Sequence, residues 1–260
     1  MKIGIIGEGA IGRYVANSLE QRGLGPHAIL ARPDRLRAAA PAGVLRVDDV
    51  ADLPETITLM IDCAGHGALA EHGCAILHRG LDLITVSHGA LADPTLAENL
   101  ERAALRGGAQ LHLASGAIGA LDSLKAAKAG GLSEVVYIGR KPPRGWRGSP
   151  AEHRLDLDAL KTAQAHFEGS ARDAATHYPK NANVAAAVAL AGSGFDATRV
   201  RLVADPAITA NIHEIKASGA FGQLAFRIEG EALPDNPRSS ALAAMSVVSA
   251  IERRINPITI

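Results

Sequence analysis

The sequence predicts an α/β protein: a Rossmann-type parallel-sheet domain over residues 1–115, then a second α+β domain over residues 116–238. Three observations predict it. Short β-like runs alternate with helical stretches through the first part, which implies right-handed βαβ crossovers and a parallel sheet. Gly7-Glu8-Gly9-Ala10-Ile11-Gly12 lies where the first run gives way to the first helix. After Ser115 the texture changes to more β-like runs joined by longer loops.

Taken in order, residues 2–6 are an apolar run ending in glycine, and residues 11–22 have helical periodicity with Ile11, Tyr14, Val15 and Leu19 on one face. Gly23, Gly25 and Pro26 break that helix. Residues 28–32 read as a second strand that Pro33 stops. Residues 59–63, 83–86 and 110–113 read as further strands, with helices near 67–79 and 94–106 between them. In the second part, 120–129 reads as a helix and 134–140 as a strand. Residues 141–150 read as a loop, since they hold three prolines, two glycines and the only tryptophan. An Ala-rich helix is expected from about Asn183, with strands at 200–203, near 209–217 and at 222–229. Asp235-Asn236-Pro237-Arg238 reads as a break. Residues 239–254 read as an amphipathic helix capped by Ser239 or Ser240, and the segment 239–260 is expected to pack back on the first domain.

The 260 residues are 47% hydrophobic and 21% charged, ordinary for a protein with a real core. Lys+Arg and Asp+Glu both number 27, so the bulk charge offers no attraction to nucleic acid or a membrane surface. Cys63 and Cys74 form no CxxC pair and no metal-ligand spacing; reduced thiols and no metal are expected. Met1-Lys2 runs straight into Ile3-Gly4-Ile5-Ile6, without a signal-peptide layout. The longest apolar stretches fall far short of the ~20 residues of a membrane span, so a soluble, cytoplasmic protein is expected.

The glycine motif has the strand–turn–helix context that a dinucleotide-binding loop requires. Gly7 permits the tight turn, Gly9 lets the backbone approach a pyrophosphate, and Gly12 lets helix and strand pack closely. Gly7, Gly9, Ala10, Ile11 and Gly12 are therefore the candidate phosphate cradle, at a helix N-terminus whose free N–H groups and dipole favour anions. About twenty residues on, where Asp or Glu would hold a ribose 2′-hydroxyl, the chain has Arg32. With Arg35 it suits a 2′-phosphate, so NADP is expected to bind at least as well as NAD; the alternative is a solvated surface charge.

In the second part, Ser115-Gly116-Ala117-Ile118-Gly119 follows the last strand of the first domain, and its small residues suit close approach to a flat ring, or a domain hinge. Asn181 and Asn183 precede the Ala-rich helix and suit either a helix cap or, for Asn183, a bond to the nicotinamide carboxamide or nearby ribose. If residues 208–215 form a strand, Asn211 and His213 share a face, and a histidine there suits proton transfer near neutral pH as well as a structural role. Arg140-Lys141-Pro142-Pro143 is either a carboxylate-binding site or a solvated basic turn.

Together, Gly7–Gly12, Ser115–Ala120, Arg140–Pro143, Lys180–Val184, Ala204–Ile215 and Asn236–Ser240 resemble the L-aspartate dehydrogenase family, in the same order and over nearly the whole chain. The resemblance implies a Rossmann domain plus an α+β domain carrying the substrate site and a dimer interface. It implies NAD or NADP as cofactor, His213 as the catalytic residue, Ala117 and Asn183 against the cofactor, and Arg140 and Lys141 around the substrate; Asn211, on the face of His213, is the further substrate-binding candidate. It adds the segment Asn236-Pro237-Arg238-Ser239-Ser240 around the site, with Lys180 a reserve proton carrier. The implied reaction converts L-aspartate and NAD(P)+ reversibly to oxaloacetate and ammonia through iminoaspartate, with His213 moving protons at a pKa near neutrality. A homodimer and a role feeding NAD biosynthesis follow from the same resemblance. Two positions depart from the family pattern: Gly139 stands where threonine is usual, and Arg238-Ser239-Ser240 where Lys-Thr-Ser is. The alternatives are a reductase of the dihydrodipicolinate reductase or homoserine dehydrogenase kind, or a non-catalytic NAD(P)H sensor.

Overall fold

A computed structural model describes residues 1–38, 43–179, 181–234 and 236–259, without the side chains of Pro237 and Arg238. The chain divides into two compact units, residues 1–114 with 243–260, and residues 115–242.

The first unit follows the alternation of the sequence. Its elements are β1 (Ile3–Ile6), α1 (Ala10–Glu20), β2 (Ala28–Leu30), β3 (Leu45–Val47), β4 (Leu59–Asp62), α2 (His66–His78), β5 (Asp82–Thr85), α3 (Pro94–Gly107) and β6 (Leu111–Leu113). The strands pair in parallel in the order β3-β2-β1-β4-β5-β6, the doubly wound order that reverses between β1 and β4. β1, β2 and β4 are buried at every residue, as central parallel strands covered on both faces must be. β3 escapes the sequence reading because it has three residues and only Val47 is buried, too little pattern to register.

Most of α7 (Ala241–Ile255) belongs to this unit. Ala244, Val247, Val248 and Ile251 recur at helical spacing, and the last three join Ile3, Ile5, Val15, Leu19, Leu59 and Ile61 in one core. Arg22 donates to Glu252 at 2.7 Å, and Arg254 reaches Asp82 and His112.

The second unit holds α4 (Leu121–Gly130), β7 (Leu132–Lys141), β8 (Gln164–Ser170), α5 (Ala171–His177), α6 (Asn183–Ala191), β9 (Arg199–Ala204), β10 (Asn211–Gly219), β11 (Gly222–Gly230), β12 (Ala232–Leu233) and β13 (Asn236–Ser240). The mixed sheet runs β11-β10-β7-β9-β8, with β7 and β9 parallel and the other neighbours antiparallel. α6 packs against α4, α5 and β7. It is almost all alanine and valine, and Val184 to Ala189 are buried around its whole circumference, so it approaches its neighbours closely.

Two features were not expected from sequence. β8 and α5 meet at Ser170, whose capping box with Asp173 starts the helix where the pattern alone gave no start. Of the expected break at 235–238, residue 235 lies outside the described residues and residues 236–238 belong instead to β13, which pairs with β12 in a separate two-stranded ribbon; an edge position tolerates Pro237. Among the described residues no helix is long and apolar enough to cross a membrane.

Candidate active site

The glycine turn between β1 and α1 is shaped by contacts that leave no room for side chains. Gly7 has φ +84°, and a Cβ there would lie 2.7 Å from the Cβ of Ala64. A Cβ on Gly12 would lie 2.2 Å from the Gly7 carbonyl oxygen. Gly9 differs: a Cβ there would meet nothing within 4 Å, so its open side is free for a ligand's close approach. Gly9 also caps α1 in extended conformation with no side-chain cap, and the first turn holds no acidic residue. The N–H groups of Ala10, Ile11 and Gly12 thus open a helix N-terminus without an internal anion.

Glu8, inside this turn, would repel a pyrophosphate. Arg46 of β3 pairs with it bidentately, at 2.5 and 2.6 Å, from a nearly buried position, and that bond raises the guanidinium pKa. The turn is therefore close to neutral, and its residues fit a dinucleotide. Asp62 closes the neighbouring edge. It accepts from the N–H of Ala64 and Gly65 on one oxygen and from the hydroxyls of Thr85 and Ser87, each at 2.7 Å, on the other. That buried carboxylate ties the turn after β4, which packs on Gly7, to the turn after β5. Sequence reasoning missed both devices, although an aspartate ending an otherwise apolar strand was a signal. Arg32 is exposed just beyond β2, and it shares Asp34 with Arg35 at 3.7 and 3.9 Å.

The stretch after β6 opens the second unit. Ala117 and Ile118 are buried, and Gly119 backs onto Phe226, whose ring a Cβ would meet at 2.8 Å. Ala120, at φ +59°, is the non-glycine residue with left-handed backbone among the described residues, and it caps α4.

The second sheet sorts the remaining candidates by face. His213 of β10 pairs with Gly139 of β7, and Ile215 pairs with Tyr137. Side chains alternate along strands, so Tyr137, Gly139 and Lys141 share a face with Asn211, His213 and Ile215. His213 is buried, and the Tyr137 hydroxyl lies 2.7 Å from its Nδ1. Burial, with help from the Lys141 charge, lowers the imidazole pKa to about 4. This corrects the expectation of a group titrating near neutrality: a buried imidazole beside an ammonium resists a second charge. Lys141 is itself lowered to about 8 by burial. Its Nζ donates to Asn181 Oδ1 at 2.6 Å and lies 5.2 Å from the Trp146 ring centroid. Trp146 is fully buried, donates to the Val203 carbonyl and packs edge-on against His166, which is held neutral by burial at about 4.

Arg140 falls on the opposite face, beside Ile212 and Glu214. Its guanidinium faces Asp205 at 3.5 Å and Glu214 at 3.9 Å. The structure therefore does not bring Arg140 to His213, because adjacent residues of a strand cannot share a face. Asn183 is the first residue of α6 and half-buried, while the cap is Ala182, without a side-chain bond; Asn181 is used by Lys141 instead. Lys180 and the side chain of Arg238 lie outside the described residues. Tyr137 went unnoticed in the sequence, though its spacing two residues from Gly139 and four from Lys141 was readable.

Comparison with known proteins bears on both units. Residues 122–254 match the family model "Aspartate dehydrogenase, C-terminal", and residues 7–114 match "Homoserine dehydrogenase, NAD binding domain". An L-aspartate dehydrogenase of Ruegeria pomeroyi is 54% identical over 98% of this chain and 92% of its own. One of Cupriavidus necator is 46% identical over the full length of both. The crystal structure of aspartate dehydrogenase from Thermotoga maritima superposes with a TM-score of 0.79 at 31% identity, covering 100% of this chain and 99% of that one.

Proposed function

The chain belongs to the L-aspartate dehydrogenase family, and from that premise we propose that it catalyses the reversible NAD(P)-dependent oxidative deamination of L-aspartate to oxaloacetate and ammonia, through iminoaspartate. The observation that carries the reading is the shared face of the second sheet on which Lys141, Asn211 and His213 stand together. The bound nicotinamide supplies the acceptor for the Cα hydride. The turn at Gly7, Gly9 and Gly12 and the N–H groups of Ala10 and Ile11 would hold its pyrophosphate, and Ala117 and Asn183 are the further residues that would contact it. Arg32, exposed beyond β2, would accommodate a 2′-phosphate, so NADP would serve as well as NAD.

Lys141 is mostly protonated at neutral pH even with its pKa lowered to about 8, and supplies the cation for a substrate carboxylate. Asn211 offers an amide beside it. His213 stays neutral and acts by hydrogen bonding at the oxygen of the reacting carbon. The enzyme works in the cytoplasm as a homodimer through the second unit, and its imine product suits a biosynthetic role toward NAD.

The test is an amino-acid panel with NAD+ and NADP+, and NAD(P)H consumption with oxaloacetate and ammonia. Aspartate standing well above glutamate, alanine and homoserine, with reverse turnover that needs both oxaloacetate and ammonia, is expected. Cofactor binding with no turnover on any oxo or imino acid would sink the proposal. A strong preference for NAD would remove Arg32 from it.

A further inference from the structure

We infer that Tyr137 is the positioning residue of the site: its hydroxyl donates to Nδ1 of His213, fixes the proton of the neutral imidazole on Nε2, and so makes His213 a hydrogen-bond donor to the substrate oxygen, with Gly139 providing the space that this needs. The inference rests on the proposed role of His213 and adds how that residue is set.

The geometry comes from strand register. His213 is opposite Gly139, and Tyr137 is opposite Ile215. Tyr137 can meet His213 only diagonally, over position 139. Its hydroxyl occupies that space: a Cβ on residue 139 would lie 2.7 Å from the phenolic oxygen and 3.2 Å from Cζ. A glycine inside a ten-residue strand weakens the strand, and here it has a purpose.

The direction of the bond follows from burial. Tyr137 is 1% exposed, and burial raises its pKa, so the phenol keeps its proton. Among the described residues the hydroxyl has one hydrogen-bond partner, His213 Nδ1. Were Nδ1 the protonated nitrogen, it would donate to the phenol oxygen, and the phenolic proton would be buried without an acceptor. The opposite tautomer pairs the buried phenolic proton and leaves the unpartnered N–H on the nitrogen that reaches solvent, and is favoured by about tenfold or more. Nε2 then carries the imidazole proton. The described residues give Nε2 no partner, and it is not among the side-chain atoms sealed from solvent, so its proton is left free for a partner from outside the protein. The Lys141 charge acts on the same ring and disfavours imidazolium.

In the aminating direction, ammonia attacks the keto carbon. The new C–N bond forms as the C=O π pair moves onto oxygen, and Nε2–H donates to that oxyanion without giving up its proton. In deamination the pair returns and ammonia leaves. A neutral, oriented donor performs this without the cost of charging a buried ring.

The experiment compares the full enzyme with Tyr137→Phe, Gly139→Ala and the double variant. Proton–nitrogen correlation spectra of histidine-labelled protein report the tautomer of His213 independently of turnover, with His213→Asn assigning the signal. We expect the Nε2–H form in the unsubstituted enzyme and a tautomer mixture in Tyr137→Phe. We expect kcat lower by about tenfold in Tyr137→Phe, the rate equivalent of one net hydrogen bond, with cofactor KM unchanged. Gly139→Ala should resemble it by displacing the phenol. The double variant should be no worse than either, because phenylalanine removes the oxygen that the methyl meets. Nδ1–H in the unsubstituted enzyme, or the same tautomer in Tyr137→Phe, would overturn the inference. A normal tautomer pattern together with a fully active His213→Asn would instead remove the catalytic role of His213.

Discussion

The glycine turn of the first sheet and the Tyr137–His213 face of the second are built from different material. The turn is made of backbone: Gly7 and Gly12 are fixed by what a Cβ would strike, and Gly9 by the open space beside it. Such a site is local, spelled by six consecutive residues. The second face is made of side chains from two strands, 76 positions apart at the Tyr137–His213 bond. Its chemistry is tuned by burial and by the charge of Lys141. A backbone site tolerates little variation at its own positions; a side-chain site depends on each neighbour.

That contrast can be broken most severely at His213. His213→Ala should lower kcat by about 10²–10³-fold, the usual loss on removing a donor to a developing oxyanion, while NAD(P)H binding measured by fluorescence stays unchanged. Activity within threefold of the parent would exclude it. Lys141→Met should lower kcat/KM for aspartate about 10–100-fold, as loss of a charge-assisted bond predicts, whereas Lys141→Arg should retain much of the activity. The parent should also lose kcat/KM as pH rises past about 8, where Lys141 discharges, and Lys141→Arg should not. Gly12→Ala should weaken cofactor binding about tenfold or more, since the new methyl must displace the Gly7 carbonyl. The His213 spectrum should not move, and a change there would show that the two regions are not separable.

Acid stability sharpens the comparison further. His88 in the first unit and His166 and His213 in the second are all lowered to about 4 by burial. The unfolded chain, with histidine near 6.5, binds more protons than the folded one between these values. The unfolding free energy therefore falls as pH drops from about 6.5 to about 4, by about 3 kcal/mol per histidine. The second unit should lose more, measurable by hydrogen exchange at two pH values; a flat stability across that window would contradict these burials. The smallest effect is expected at Arg140→Ala, which should change aspartate KM by less than about threefold because its guanidinium faces Asp205 and Glu214. A large loss of substrate affinity would reverse the face assignment.

Much of this was readable beforehand. The alternation of apolar runs and helical stretches located five of the six strands of the first sheet, and missed β3 because one buried residue makes no pattern. His213 could be placed beside Asn211 by counting alternate residues. The same counting, carried to the end of β7, parts Arg140 from Lys141. Glu8, Arg46 and Asp62 passed unnoticed because their partners are distant in sequence or are backbone groups.

By itself the sequence determined the parallel first sheet, the glycine turn that opens its first helix and the family, since these depend on local periodicity, on glycine at fixed offsets and on motifs kept in order. Only the tertiary structure decided that His213 is buried beside the Tyr137 hydroxyl, that Lys141 lies against Trp146, and that Arg140 faces Asp205 and Glu214 instead. Burial and strand register fix those properties, and both arise from residues far apart in the chain.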